Sequence, residues 1–180
     1  MKIVAWNVQG AKKRQIREEL KLLQRSKQPD IMFVIETMAS ERTSNQILPF
    51  LGFDNYDFIV PVQHSGSIWV LWNNKNIMAN VLLKENRAIH MLVFDVSIQK
   101  FSIISGVYAP AQACQKDIFW RHLCNLNSVI DNPWCLIGDF NELEHPDDKH
   151  GGGDDSAITA HTSAWVLTLM PGCISARCGS

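Results

Sequence analysis

Apolar runs of strand length recur along most of the chain, each closed by a polar or turn-forming residue. Ile3 to Val8 reads as a buried strand ending at Asn7-Val8-Gln9-Gly10. Ala11 to Ser26 carries Ile16, Leu20 and Leu23 at helical spacing among charges, and Gln28-Pro29-Asp30 breaks that helix. Ile31 to Ile35 is a second continuous apolar run, closed by Glu36-Thr37. Strand, helix and strand at this spacing predict an open mixed sheet with a helix packed on one face. Ser40 to Leu51 reads as a short helix interrupted near Pro49. Further strands are expected at Tyr56 to Val60 and, after a turn at His64-Ser65-Gly66-Ser67, at Ile68 to Trp72. Three more follow in close succession: Ile77 to Leu83, Ala88 to Val96 and Phe101 to Tyr108. Their short polar connections predict antiparallel pairing. Ile118, Phe119, His122, Leu123, Leu126, Val129 and Ile130 set a helical period that Asp131-Asn132-Pro133 ends. The run Trp134-Cys135-Leu136-Ile137 then leads into Gly138-Asp139-Phe140-Asn141. In extended backbone Asp139 and Asn141 would share a face, with Phe140 turned to the core.

After Asn141 the pattern changes. Glu142 to Gly153 is a polar loop ending in three glycines. Asp154 to Ser180 is weakly patterned, and Trp165 to Met170 is its only apolar cluster. The expected organisation is therefore one domain over residues 1–150 and a divergent tail over 151–180.

Composition narrows the class. Over 180 residues, 46% hydrophobic and 19% charged content is that of a globular chain. A net charge of -1 gives no overall basic field to attract nucleic acid. Local basicity does occur: Lys12, Lys13, Arg14, Arg17, Lys21, Arg25 and Lys27 crowd one segment. That segment reads first as the solvated face of a helix and second as a nucleic-acid patch. The five cysteines form no CxxC pair and no secretory leader precedes them, which predicts reduced thiols in an intracellular compartment, nucleus or cytoplasm. No apolar run approaches a membrane span.

The candidate chemistry lies where strands end. Asn7, Glu36, Tyr108, and the pair Asp139 and Asn141 each sit at the C-terminal end of an apolar run. Neighbouring strands would bring them to one rim. Glu36 is a hard oxygen ligand of the kind Mg²⁺ takes alongside waters and phosphate oxygens. Asp139 could orient or deprotonate a water. Asn7 and Asn141 could hold phosphate oxygens without adding negative charge, and Tyr108 could donate to a phosphate. Taken singly, each is an ordinary strand-end residue. Taken as an ordered set, they are much more specific.

The series Trp6-Asn7, Ile35-Glu36-Thr37, Gly66 to Asn73, Gly106-Val107-Tyr108 and Gly138-Asp139-Phe140-Asn141 resembles the endonuclease/exonuclease/phosphatase superfamily. Within it the chain is most similar to the apurinic-type endonuclease domain of plant LINE (non-LTR) retrotransposons. Ala88-Ile89-His90 and Trp134 add to that match. The resemblance covers about residues 1–150. It implies an α/β (α+β) chain folded as a four-layer α/β/β/α sandwich, and Mg²⁺-dependent phosphodiester hydrolysis, with Mn²⁺ as an alternative ion and DNA as partner. Glu36 would be the metal ligand with Asn7 beside it. Tyr108 and Asn141 would contact the phosphate, and Asp139 would align or activate the water.

The resemblance has one gap. Family members continue with further strands, another Asp and a closing Ser-Asp-His, whose His is the acid/base partner. No Ser-Asp-His occurs in these 180 residues, and His145, His150 and His161 stand in no such motif. The expectation is a C-terminally incomplete sandwich, truncated or frame-shifted, whose second sheet lacks partners and whose activity is weak or absent. The alternatives are a phosphatase of the same superfamily and a non-catalytic nucleic-acid-binding relic.

Overall fold

The computed structural model describes residues 1–61 and 67–141 and the backbone of the strand Trp165–Leu169. The chain runs β1 (Ile3–Asn7), α1 (Arg14–Lys27), β2 (Ile31–Ile35), α2 (Glu41–Ile47) and a 3-10 turn (Leu48–Phe50). It continues β3 (Asn55–Ile59), β4 (Ile68–Trp72), β5 (Ile77–Glu85), β6 (Ala88–Asp95), β7 (Lys100–Tyr108), α3 (Ala113–Asn127), β8 (Trp134–Asp139) and β9 (Trp165–Leu169).

The strands form two sheets, ordered β1-β2-β4-β3 and β5-β6-β7-β8-β9. β1 and β2 run parallel across the α1 crossover, and β7 and β8 run parallel across α3. These are the connections that a helix between two strands imposes. The hairpins β5-β6 and β6-β7 are antiparallel, as the spacing predicts.

Strand alternation separates three cores. All five residues of β2 are buried. Ile31, Phe33 and Ile35 face the second sheet, where they meet Ile89, Met91, Ile104 and Ile137. Met32 and Val34 face the other way, onto Leu20, Ile47 and Leu48 of the helical layer. On the outer face of the second sheet, Phe119 and Leu123 of α3 pack on Val107, Trp134 and Leu136. The result is the α/β/β/α layering expected. Each large apolar side chain fully buried contributes about 1.5–3 kcal/mol, so the doubly buried strands β2 and β4 dominate the stability.

Some details depart from the sequence reading. α3 buries only Phe119 and Leu123; Ile118 is 67% exposed, and Val129, beyond the helix end, is 75% exposed. Trp120 and Leu126 pack against the same core but stay partly buried. The Trp165–Met170 cluster yields a strand, β9, antiparallel to β8. β8 therefore has partners on both sides, and the second sheet does not end there as anticipated. The cysteines are not all free thiols, since Cys124 is disulfide-bonded. In the basic segment, Lys12, Lys13, Arg14, Arg25 and Lys27 are exposed, as both readings of it require. Among the described residues, no helix is long and apolar enough to cross a membrane. The turn at His64 to Gly66, the loop Glu142 to Gly153, and His145, His150 and His161 lie outside the described residues.

Candidate active site

Four strands, β1 and β2 in one sheet and β7 and β8 in the other, end at one rim of the sandwich. Direct contacts between the sheets establish this. Asn7 Nδ2, at the end of β1, donates to Asp139 Oδ2 at the end of β8 at 2.7 Å. Tyr108 Oη, at the end of β7, donates to Glu36 Oε1 just past β2. Asn141 donates its backbone N–H to Asp139 Oδ1 at 2.8 Å. All five candidate side chains thus fall in one constellation.

The local backbone is built for it. Glu36 has φ 54° and Asn141 φ 50°, both in the left-handed region. For a glutamate this costs on the order of 1 kcal/mol and persists only where the surroundings hold it. Here Gly10 and Ala11 donate their N–H groups to the Glu36 and Thr37 carbonyls at 2.8 and 2.7 Å. Asn141 tolerates the region better, as asparagines do. Its positive φ also departs from the extended geometry expected for Asp139-Phe140-Asn141. Phe140 does enter the core, stacked on Trp120 at 5.8 Å.

The hydrogen bonds assign the atoms. Asn7 accepts from the Gln9 N–H through Oδ1 at 3.1 Å while Nδ2 serves Asp139, so its amide orientation is fixed from both ends. Both oxygens of Asp139 receive N–H donors, which hold the carboxylate as an oriented acceptor. Asn141 Nδ2 reaches the Ala109 carbonyl at 2.6 Å. Burial pushes the Tyr108 phenol up to about 12, helped by the hydrogen bond and charge of Glu36 and the charge of Asp139, and opposed by Asn141. Tyr108 is therefore un-ionised at neutral pH and remains a donor.

That shift has a measurable consequence. The folded pKa lies above the ordinary 10.0. Folding therefore favours the protonated phenol, and this contribution is intact below pH 10 and lost as the pH climbs through about 12. The chain has two tyrosines, so Tyr56→Phe isolates Tyr108. In that variant, tyrosinate absorbance after a rapid pH jump is expected to rise with a midpoint well above 10; a midpoint at 10 would show an unshielded phenol.

Two cations near the rim escaped the sequence reading. Arg87, in the turn between β5 and β6, holds its guanidinium carbon 5.7 Å from the Tyr108 ring centre. Lys116 of α3 donates to the Asn141 carbonyl at 2.5 Å. Neither follows an apolar run, so strand-end logic does not find them. Only the topology brings them to the rim.

The donor set fits a hard divalent cation held sparsely. Among the described residues, no group of three His, Cys, Asp or Glu side chains could hold a metal ion. Mg²⁺ does not require one; it binds through one or two carboxylates and keeps several waters. Glu36 offers a carboxylate with one oxygen taken by Tyr108, and Asn7 Oδ1 retains a second lone pair.

Comparison with solved structures gives the same architecture. The AP endonuclease LMAP from Leishmania major superposes with a TM-score of 0.61 at 16% identity, over 84% of this chain and 58% of that one. The human Nocturnin catalytic domain gives 0.55 at 19%, over 79% and 64%. The mannosyl-6-phosphatase Bt3783 of Bacteroides thetaiotaomicron gives 0.52 at 11%, over 81% and 67%. At these identities the likeness is one of fold, and the chain spans less than two thirds of the Leishmania and human chains. No curated protein matches significantly. The Endonuclease/Exonuclease/phosphatase family model, however, matches residues 4–171, nearly the whole sequence. By that match, and with this fold, the chain belongs to the endonuclease/exonuclease/phosphatase family.

Proposed function

We propose that this chain is a Mg²⁺-dependent phosphodiester hydrolase module, a DNA endonuclease of retrotransposon origin. The observation that carries the reading is the hydrogen-bonded rim itself: Asn7 to Asp139 and Tyr108 to Glu36, each pair joining one sheet to the other. Family members are generally dependent on divalent metals. Glu36, with Asn7 Oδ1 beside it, would hold the ion. When bound, the ion supplies neutralisation of charge on the phosphate oxygens. Asp139, fixed by two N–H donors, orients an attacking water and accepts its proton. Tyr108 keeps its single proton, which would turn from Glu36 Oε1 to a non-bridging oxygen when the phosphate is bound. Asn141 lies beside Asp139 as a neutral contact to the phosphate.

The leaving oxygen is the weak point. Among the described residues, the histidines are His90 and His122, and both contact Glu85 and not the rim carboxylates, so neither is placed as the acid/base partner. Positioned general acid-base groups contribute roughly 10²–10⁴-fold, so turnover by these 180 residues alone is expected to be slow. Supercoiled plasmid incubated with the protein and Mg²⁺ should be nicked slowly, and EDTA should stop it. Phosphoinositides and sugar phosphates assayed beside it should be untouched. Release of phosphate from those substrates without nicking would favour the phosphatase reading. Salt-sensitive DNA binding with no cleavage would favour the binding relic.

A further inference from the structure

Glu85, the last residue of β5, places its carboxylate between two imidazoles. Oε2 lies 3.2 Å from His90 Nε2, and Oε1 lies 2.7 Å from His122 Nε2 on α3. The other His90 nitrogen, Nδ1, is 2.7 Å from Ser105 Oγ on β7. That hydroxyl accepts from Trp134 Nε1 on β8 at 2.7 Å. His90 and Ser105 are both buried. Five side chains from five elements thus form one continuous polar chain beneath α3.

The chemistry fixes its direction. An ionised carboxylate only accepts, so each histidine presents an Nε2–H to Glu85. Burial holds the His90 imidazole below its ordinary value, against the pull of Glu85, so at neutral pH it carries a single proton. With that proton on Nε2, Nδ1 is an acceptor and the Ser105 hydroxyl donates to it. The indole N–H donates to Ser105 in turn, and every group is satisfied.

Within this network, Glu85 stands two residues before Arg87, which touches the rim. Glu85 pairs with Ala88 across the two-residue turn Asn86-Arg87. The Arg87 carbonyl accepts the Tyr108 N–H at 2.9 Å, and the Arg87 guanidinium stands over the Tyr108 ring. We propose that the Trp134–Ser105–His90–Glu85–His122 chain is a positioning device for the active-site rim, with His90 and Glu85 as positioning residues that hold the Asn86–Arg87 turn against Tyr108. An apolar side chain of similar volume at His90 can still fill the core, although it leaves Ser105 and Glu85 without a partner. What it cannot preserve is direction, and a satisfied network sets one geometry.

The test separates direction from packing, and it needs no hydrolysis, so its failure would leave the hydrolase reading intact. His90→Gln keeps one acceptor for Ser105 and one donor for Glu85, whereas His90→Leu keeps neither. The readout is hydrogen exchange at the Tyr108 amide, which the Arg87 carbonyl holds. Its rate is expected to stay near the parent value in His90→Gln. In His90→Leu it should quicken about 10-fold or more relative to the β2 amides, with cooperative thermal unfolding retained. Glu85→Gln, at a half-buried edge position, faces two N–H donors with only one acceptor. It should quicken the exchange likewise, and it decides the matter if His90→Leu does not fold. ¹⁵N NMR should find the His90 proton on Nε2. A folded His90→Leu or Glu85→Gln with the parent exchange rate, or a proton on Nδ1, would overturn the proposal.

Discussion

Glu36→Gln is expected to lower Mg²⁺ affinity by about 100-fold or more while leaving the fold unchanged. Loss of groups that merely support a ligand costs roughly 10–100-fold, and Glu36 is assigned as the ligand itself. The competing carboxylate at the rim is Asp139, and both of its oxygens already hold N–H donors. Asn7 is neutral and contributes one lone pair. Glutamine matches glutamate in shape and can keep an oxygen for the Tyr108 hydroxyl, so the bond across the sheets survives. Calorimetry with MgCl₂ and thermal unfolding of the same samples separate the two effects. An unchanged affinity would remove Glu36 from the metal site and with it the hydrolytic reading of the rim. Equal loss of binding and of melting temperature would show that the substitution damaged the fold, in which case Glu36→Ala with Tyr108→Phe removes both partners of the bond and repeats the measurement.

The sequence exposes this rim more clearly than most sites because of how the candidates are placed. Asn7, Glu36, Tyr108 and Asp139 each follow an apolar run, and helices between β1 and β2 and between β7 and β8 force parallel pairs. Parallel strands put their C-terminal ends on the same edge, so half of the convergence follows from chain order. The other half does not. Asn7 and Asp139 are 132 residues apart and Glu36 and Tyr108 72 apart, and both contacts depend on how one sheet is laid on the other. Periodicity within a strand carries no information about that stacking. The left-handed turns at Glu36 and Asn141 were equally hidden, since glutamate in particular gives no hint of positive φ. Arg87 and Lys116 reach the rim through a hairpin turn and a helix face, positions where charged residues are usual. β9 was missed because a strand on a sheet edge needs only a short apolar cluster, and Trp165 to Met170 stands in a weakly patterned tail.

Gly138→Ala is expected to destabilise the protein by about 4 kcal/mol or more, an effect reserved for backbone strain and core clashes. Gly138 sits within β8 at φ 151°, paired in parallel with Val107. A Cβ built there would lie 2.0 Å from the Val107 carbonyl oxygen and 2.9 Å from the Val107 carbonyl carbon and amide nitrogen. Those are backbone atoms of the neighbouring strand, so no side-chain rotation can relieve the contact. Asp139 is the next residue, so any shift of β8 also displaces the rim carboxylate. Gly106 provides the contrast. Its Cβ would meet the Phe33 ring at 2.1 Å, which lets the two sheets approach each other closely but sets glycine against a side chain rather than a backbone. Gly106→Ala is accordingly expected to cost less, about 1–3 kcal/mol, as overpacking does. Urea unfolding of four variants tests the distinction. Phe33→Leu should recover part of the loss in Gly106→Ala, because it removes the clashing ring, and none of the loss in Gly138→Ala. A Gly138→Ala variant within about 1 kcal/mol of the parent would mean that β7 and β8 are not held in this register, and the placement of Asp139 opposite Asn7 would fall with it.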